Sequence, residues 1–153
     1  MRYWLLKSEP DSYSIDHLWA EPGRTTFWDG VRNYQARNFI RDDMKKGDLA
    51  FFYHSGAPAP AIAGIVEITR DAYADPSAFE PGSKYFDSKS DPDNPTWFVV
   101  DVKAKKKFSE PITLAELRDV KGLDGMELLK RGSRLSVQPV SERHWKVINE
   151  LRG

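Results

Sequence analysis

Thr25-Thr26-Phe27-Trp28-Asp29-Gly30-Val31-Arg32-Asn33-Tyr34-Gln35-Ala36-Arg37-Asn38 carries the chain from a strand into a helix through one tight turn. Residues 25–28 are β-branched and aromatic, as strands favour. Asp29-Gly30 is a turn signal, because glycine accepts positive φ and aspartate bonds its own backbone. Asn33 can then cap a helix that runs to about Met44, with Ala36, Phe39, Ile40 and Met44 as its buried stripe. Lys45 and Lys46 fall in the expected last turn and Gly47 at the left-handed position beyond it.

The same alternation of short strands and short helices extends both ways. Upstream, residues 3–7 read as a strand stopped by Glu9-Pro10-Asp11. Ser14 caps a short helix with Ile15, Leu18 and Trp19 on one face. Downstream, residues 49–54 and 61–69 read as strands, with Gly64 marking a bulge or a close backbone approach. Residues 71–95 form a long polar loop, a length usually reserved for function or mobility. Residues 96–108 alternate, with Phe98, Val100 and Val102 opposite Trp97, Val99 and Asp101. Thr113-Leu114-Ala115-Glu116 has the form of a capping box. A second short helix is expected over 124–130 and a strand over 133–140, with Arg134, Ser136 and Gln138 on its polar face. Ser141 caps a last helix carrying His144, Trp145, Ile148 and Leu151. Irregular connections with few βαβ units point to an α+β fold, a small curled sheet or mixed barrel flanked by short helices. The 153 residues suit one domain over 1–153.

Composition narrows the chemistry. There is no cysteine, so disulfides, thiolate metal centres and thiol nucleophiles are excluded. His17, His54 and His144 are scattered without metal-ligand spacing; no metal and no cofactor are expected. No phosphate loop, dinucleotide fingerprint or nucleophile elbow is present. The start of the chain lacks the pattern of a signal peptide, and no apolar run has membrane-spanning length, so a cytoplasmic location is expected, with no membrane partner. Lysine and arginine total 23 and so do aspartate and glutamate. A protein that grips nucleic acid by phosphates alone is usually strongly basic; here a specific pocket would have to do that work.

The candidate site centres on the opening stretch. A turn into a helix start exposes backbone N–H groups, Trp28 offers a flat ring, and Arg32, Asn33 and Arg37 offer donors. The same stretch is equally an ordinary capped helix behind a buried tryptophan. Tyr53-His54-Ser55 leaves its strand with polar tips, although a strand-end histidine is more often structural. Lys7-Ser8-Glu9 leaves the first strand in the same way. Lys103, Lys105, Lys106 and Lys107 either meet phosphates or shield a strand edge from aggregation.

Several runs together resemble the EVE domain family (thymocyte-nuclear-protein-like): residues 3–10, 28–41, 51–55, 63–66, 97–102 and 134–140. The resemblance spans nearly the whole chain. It implies a PUA-like fold, similar to domains that recognise modified or unusual bases. It further implies a non-enzymatic module that binds DNA or RNA and reads a modified nucleobase, such as a 5-substituted cytosine, flipped into an aromatic-lined pocket. Carried over residue by residue, the pocket is Lys7, Ser8 and Glu9; Trp28, Asp29, Gly30, Val31, Arg32 and Asn33; Tyr53, His54 and Ser55; and Arg134, Ser136 and Gln138. Tyr85 is the one candidate in the long loop, and Arg37 joins the lysine run as a phosphate contact. The alternatives are an enzyme acting on a modified nucleobase or nucleoside, with Glu9, Asp29 or His54 as acid or base, and an adaptor that uses the 71–95 loop.

Overall fold

The computed structural model describes residues 1–152. Six strands form one mixed sheet: β1 (Tyr3–Ser8), β2 (Thr25–Phe27), β3 (Leu49–His54), β4 (Ala61–Ala74), β5 (Phe98–Thr113) and β6 (Val137–Val140). Their order is β2-β5-β4-β3-β1-β6. β1 and β3 run parallel, and the other pairs are antiparallel. The helices are α1 (Ile15–Trp19), α2 (Tyr34–Asn38), α3 (Leu114–Arg118) and α4 (Glu142–Glu150).

β1 and β3 lie inside the sheet and are covered on both sides, so they read as continuous apolar runs instead of alternating. The pleat still divides them. Leu6 and Phe52 join Trp28, Ala36, Ile40 and Val100 in one core. Leu5, Phe51 and Tyr53 join Ile112, Trp145 and Ile148 in the other. The α+β architecture is as expected, but the barrel is not closed. β2 and β6 are separate edges of three and four residues. Edges this short carry few backbone groups with which to pair, and helices pack beside them, α1 against β2 and α2 against β6.

Element boundaries moved wherever tertiary pairing overrode local pattern. β4 runs on to Ala74, so four residues assigned to the long loop are strand. Gly64 satisfies both expectations. The β3–β4 and β4–β5 registers shift beside it, and a Cβ there would overlap the Lys106 carbonyl oxygen. α2 passes into a π turn at Phe39–Asp43 and ends there, with Met44 already extended. Lys45, Lys46 and Gly47 therefore lie outside the helix. Buried Asp48 takes over that corner, accepting from the Arg2 and Lys45 amides and from Trp4 Nε1 at 2.9–3.0 Å. Thr113 caps α3 by accepting from the Glu116 amide at 3.1 Å. The Glu116 carboxylate instead binds Arg152, so half a capping box forms. Residues 124–130 hold only a 3-10 turn at Glu127–Leu129. The last strand begins at Val137 because residues 131–136 are turn and irregular backbone.

Candidate binding site

Where the end of β1 meets the Trp28 turn that follows β2, a cavity of about 400 Å³ opens. Its walls come from Lys7, Ser8 and Glu9 after β1, from residues 26–31, from Lys84 and Tyr85 of the long loop, and from Ser136 before β6. Ser12 and Tyr13 complete it. The volume lies in the range of small-molecule sites.

The turn is built residue by residue. The Trp28 amide makes a last sheet bond to the Val100 carbonyl at 2.8 Å. Trp28 then drops into the core, 7% exposed, edge-on to Phe52 at 5.3 Å. Gly30 takes φ of 79°, and a Cβ there would run into the Tyr85 ring, with Cε1 at 2.7 Å. The missing side chain is therefore what lets Tyr85 lie flat against the turn.

A buried carboxylate holds these two segments together. Asp75 has no exposed surface. Its Oδ2 accepts from the Gly30 amide at 3.2 Å and from Arg32 Nη1 at 3.0 Å. Its Oδ1 accepts from the Ser77 amide at 2.9 Å and from Ser77 Oγ at 2.6 Å. Arg32 Nη2 reaches on to the Tyr85 carbonyl at 2.7 Å, and its guanidinium lies over the Tyr85 and Trp97 rings. Asp75 and Arg32 thus fix the loop that carries Tyr85 against the turn that carries Asp29.

Electrostatics follow from partial burial. Burial first, and then the neighbouring Asp75 carboxylate, raise the Asp29 carboxyl above its ordinary range. Burial and the Glu21 carboxylate push the Tyr13 phenol up to about 12. Tyr13 Oη donates to Glu21 at 3.2 Å, and Ser8 Oγ donates to the Tyr13 carbonyl at 2.6 Å. Burial lowers the Lys7 ammonium, against an opposing pull from Glu127. The result is a cleft with an aromatic wall at Tyr85 and hydroxyl, carboxyl and ammonium groups around it. Such a cleft suits a flat ring with a hydrogen-bonding edge.

Of the residues expected in the pocket, Lys7, Ser8, Glu9, Trp28, Asp29, Gly30, Val31, Ser136 and Tyr85 line the cavity. The others do not. Arg32 is the strut just described. Asn33 caps α2, its Oδ1 accepting from the Ala36 amide at 2.9 Å. His54 accepts from the Ile15 amide through Nε2 at 3.1 Å, and burial lowers its pKa. The Ser55 amide continues the β1–β3 pairing by donating to the Ser8 carbonyl. Tyr53 packs with Phe51 on the opposite face. Gln138 is buried, with Nε2 donating to the Leu135 carbonyl at 2.8 Å and Oε1 unpaired among the described residues. Arg134 is exposed on the turn before β6.

The expected phosphate contacts are also partly occupied. Arg37 donates to the Thr96 carbonyl at 2.7 Å and to Asn38 at 2.8 Å. Lys105 pairs with Glu67 at 3.3 Å and Lys107 with Asp16. Thr26 pairs with Val102, and alternation turns Lys103 and Lys105 away from the face that Val102 buries. Lys106 lies over the Phe108 ring.

Ser12, Tyr13, Thr26, Phe27 and Lys84 were not anticipated, nor was Asp75. Asp75-Pro76-Ser77 is a turn-initiating dipeptide followed by a donor, a signal that could have flagged Asp75. Nothing local marks Tyr13 or Lys84, which reach the cavity only through the fold.

Among known proteins, the EVE domain model matches residues 2–151. Human thymocyte nuclear protein 1 is 42% identical over 166 residues, covering 97% of this chain and 73% of that protein. A crystal structure of a Pseudomonas putida protein superposes with a TM-score of 0.91 at 50% identity, over 99% of both chains. A structure of human THYN1 protein in complex with 5-methylcytosine-containing DNA superposes with a TM-score of 0.93 at 41% identity, over 99% of this chain and 98% of that one. A family match that covers the whole fold, cavity walls included, leaves one conclusion: the chain belongs to the EVE domain family.

Proposed function

We propose that this protein is a nucleic-acid-binding module that reads a modified base, 5-methylcytosine in DNA before others, by holding the extruded base in the 400 Å³ cavity. The observation that carries the proposal is the Tyr85 ring clamped against Gly30 beside Asp29 and Ser136. It supplies an aromatic face and polar edge groups in one cleft. The similar human THYN1 protein in complex with 5-methylcytosine-containing DNA supports the choice of ligand.

The energetics are consistent. Extruding a base costs a few kcal/mol, and stacking on one ring returns about 1–3 kcal/mol. Tyr85 takes the stacking role, because Trp28 at 7% exposure has no free face and forms the floor. Carboxyl and hydroxyl groups paired to the base edge add discrimination, since a wrong edge leaves buried polar groups unpaired. A methyl group buried against the wall adds about 0.8 kcal/mol, a factor of roughly four. The module binds its ligand without transforming it.

The test is fluorescence anisotropy with matched duplexes carrying one 5-methylcytosine or plain cytosine, and with RNA probes bearing modified cytosines. Wild type should prefer the methylated duplex about fourfold or more, and Tyr85→Ala should weaken that binding about 5- to 150-fold. Equal, weak binding to all probes overturns the proposal. Preference for an RNA probe moves the ligand to RNA. Mass spectrometry of the recovered oligonucleotide should show unchanged mass.

A further inference from the structure

A second cavity, of about 540 Å³, lies on the Tyr53 side of the sheet, also beside the end of β1. Lys7, Arg118, Lys130 and Arg131 line it, and no carboxylate does. Arg118 and Arg131 form no ion pair among the described residues, and Lys130 has Glu127 at 3.6 Å. Among the described residues the four cations thus have one ion-pair partner between them. A protein with no net charge overall has concentrated positive charge here.

An independent feature marks the same cavity. Tyr53 lines it, and its hydroxyl forms no hydrogen bond among the described residues while staying open to the cavity. A phenol placed in this way can donate to a ligand oxygen. Tyr53 stands in register with Lys7 on the neighbouring strand, so the phenol and the ammonium point from one face of the sheet. Burial disfavours the Lys7 charge, and an anion would restore it.

Lys7 belongs to the walls of both cavities. Ser133 lines the second and Ser136 the first. Three residues of chain span at most about 11 Å, near three base steps of about 3.4 Å. Exposed Arg134 lies on the turn between them.

We propose that the basic cavity bounded by Lys7, Tyr53, Arg118 and Arg131 is a phosphate site, which seats a backbone phosphodiester of the same nucleic-acid strand whose base enters the first cavity. The strand crosses the end of β6 over the turn that holds Arg134. This assignment rests on the base-reading proposal for the identity of its ligand. It replaces the lysine run of β5 as the main phosphate contact.

The test measures Kd for the methylated and plain duplexes from 50 to 200 mM KCl, for wild type, Arg118→Ala/Arg131→Ala, Tyr53→Phe and Lys146→Ala. Both arginines are exposed, so the double variant should fold, and circular dichroism checks that it does. Each phosphate neutralised contributes about 0.9 to the slope of log K against log salt. The double variant should lose about 0.9 of slope, which is roughly a three- to fourfold smaller loss of affinity across that salt range. It should weaken both duplexes by the same factor and keep the methyl preference. Tyr53→Phe should weaken both duplexes in parallel, and Lys146→Ala, outside both cavities, should match wild type.

A double variant with wild-type affinity and slope overturns the phosphate site while leaving base reading intact. A reduced slope in a protein with no methyl preference supports the phosphate site and overturns base reading. Absence of binding to either duplex overturns both. Deoxycytidine monophosphate, titrated at matched ionic strength, separates the remaining source. If it binds through Arg118 and Arg131 while the duplex slope stays unchanged, the site serves free nucleotides and the strand assignment fails.

Discussion

Replacing Asp75 with alanine should loosen the cavity from behind. All four partners of this carboxylate donate to it: the Gly30 and Ser77 amides, Ser77 Oγ and Arg32. Asp75 is fully buried, and the Arg32 side chain is 24% exposed. Removing one partner of a buried ion pair costs 3–5 kcal/mol in fully enclosed settings. Water can reach Arg32 in part, so about 3 kcal/mol is expected for Asp75→Ala. For a domain of this size that lowers Tm by about 6–12 °C. Asp75→Asn tests the account more sharply. It keeps shape and volume but turns an amide NH₂ toward a cluster of donors, and should cost about 2 kcal/mol. Urea denaturation at pH 7 measures both. Binding of the methylated duplex, at temperatures where each variant is folded, should weaken as well, because Arg32 would no longer hold the Tyr85 carbonyl. Two results would refute the reasoning: Asp75→Asn as stable as wild type, or destabilised variants that bind the methylated duplex unchanged.

Gly30→Ala should cost about 1–2 kcal/mol for its positive φ, plus the displacement of Tyr85, and should weaken methylated-duplex binding more than stability. His54 accepts from the Ile15 amide and its pKa is lowered by burial. The unfolded chain therefore binds more protons just below pH 6.5, and stability should fall as pH drops through that window; His54→Gln should flatten that part of a urea-denaturation pH series. The Asp29 carboxyl is raised by burial and by Asp75, so the folded state holds its proton longer. Asp29 therefore opposes folding once pH rises above its unfolded value near 3.8, and Asp29→Asn should raise stability at pH 7 but not at pH 3.

Much of the fold was legible because its signals are local. Ser14, Asn33, Thr113 and Ser141 cap the helices where their spacing predicts. β3 runs from Leu49 to His54 as its apolar run suggests. The site was half legible. Segments 7–9 and 28–31 do form walls, because a strand end and a glycine turn announce themselves in sequence. Tyr53, His54, Arg134 and Gln138 share those local signatures, but the sheet separates Tyr53 from the cavity and the Ile15 amide occupies His54. Tyr53 and His54 are adjacent in the chain, and alternation sends them to opposite faces. Arg134 and Gln138 were assigned to a strand that starts three residues after Arg134.

The sequence by itself determined the element order, the caps, the need for glycine at positions 30 and 64, and a family resemblance strong enough to name a class of ligand. Those features depend on neighbours a few residues apart. Only the tertiary structure decided that the sheet stays open, that Asp75 ties the long loop to the Trp28 turn across more than forty residues, and that Trp28 fills the core while Tyr85 of the long loop comes to the cavity wall. It also decided that Lys7 stands between two cavities. Burial and long-range pairing set these outcomes. Whether a tryptophan stacks on a ligand or fills a core depends on what packs against it, and that partner, Phe52, comes from a different strand.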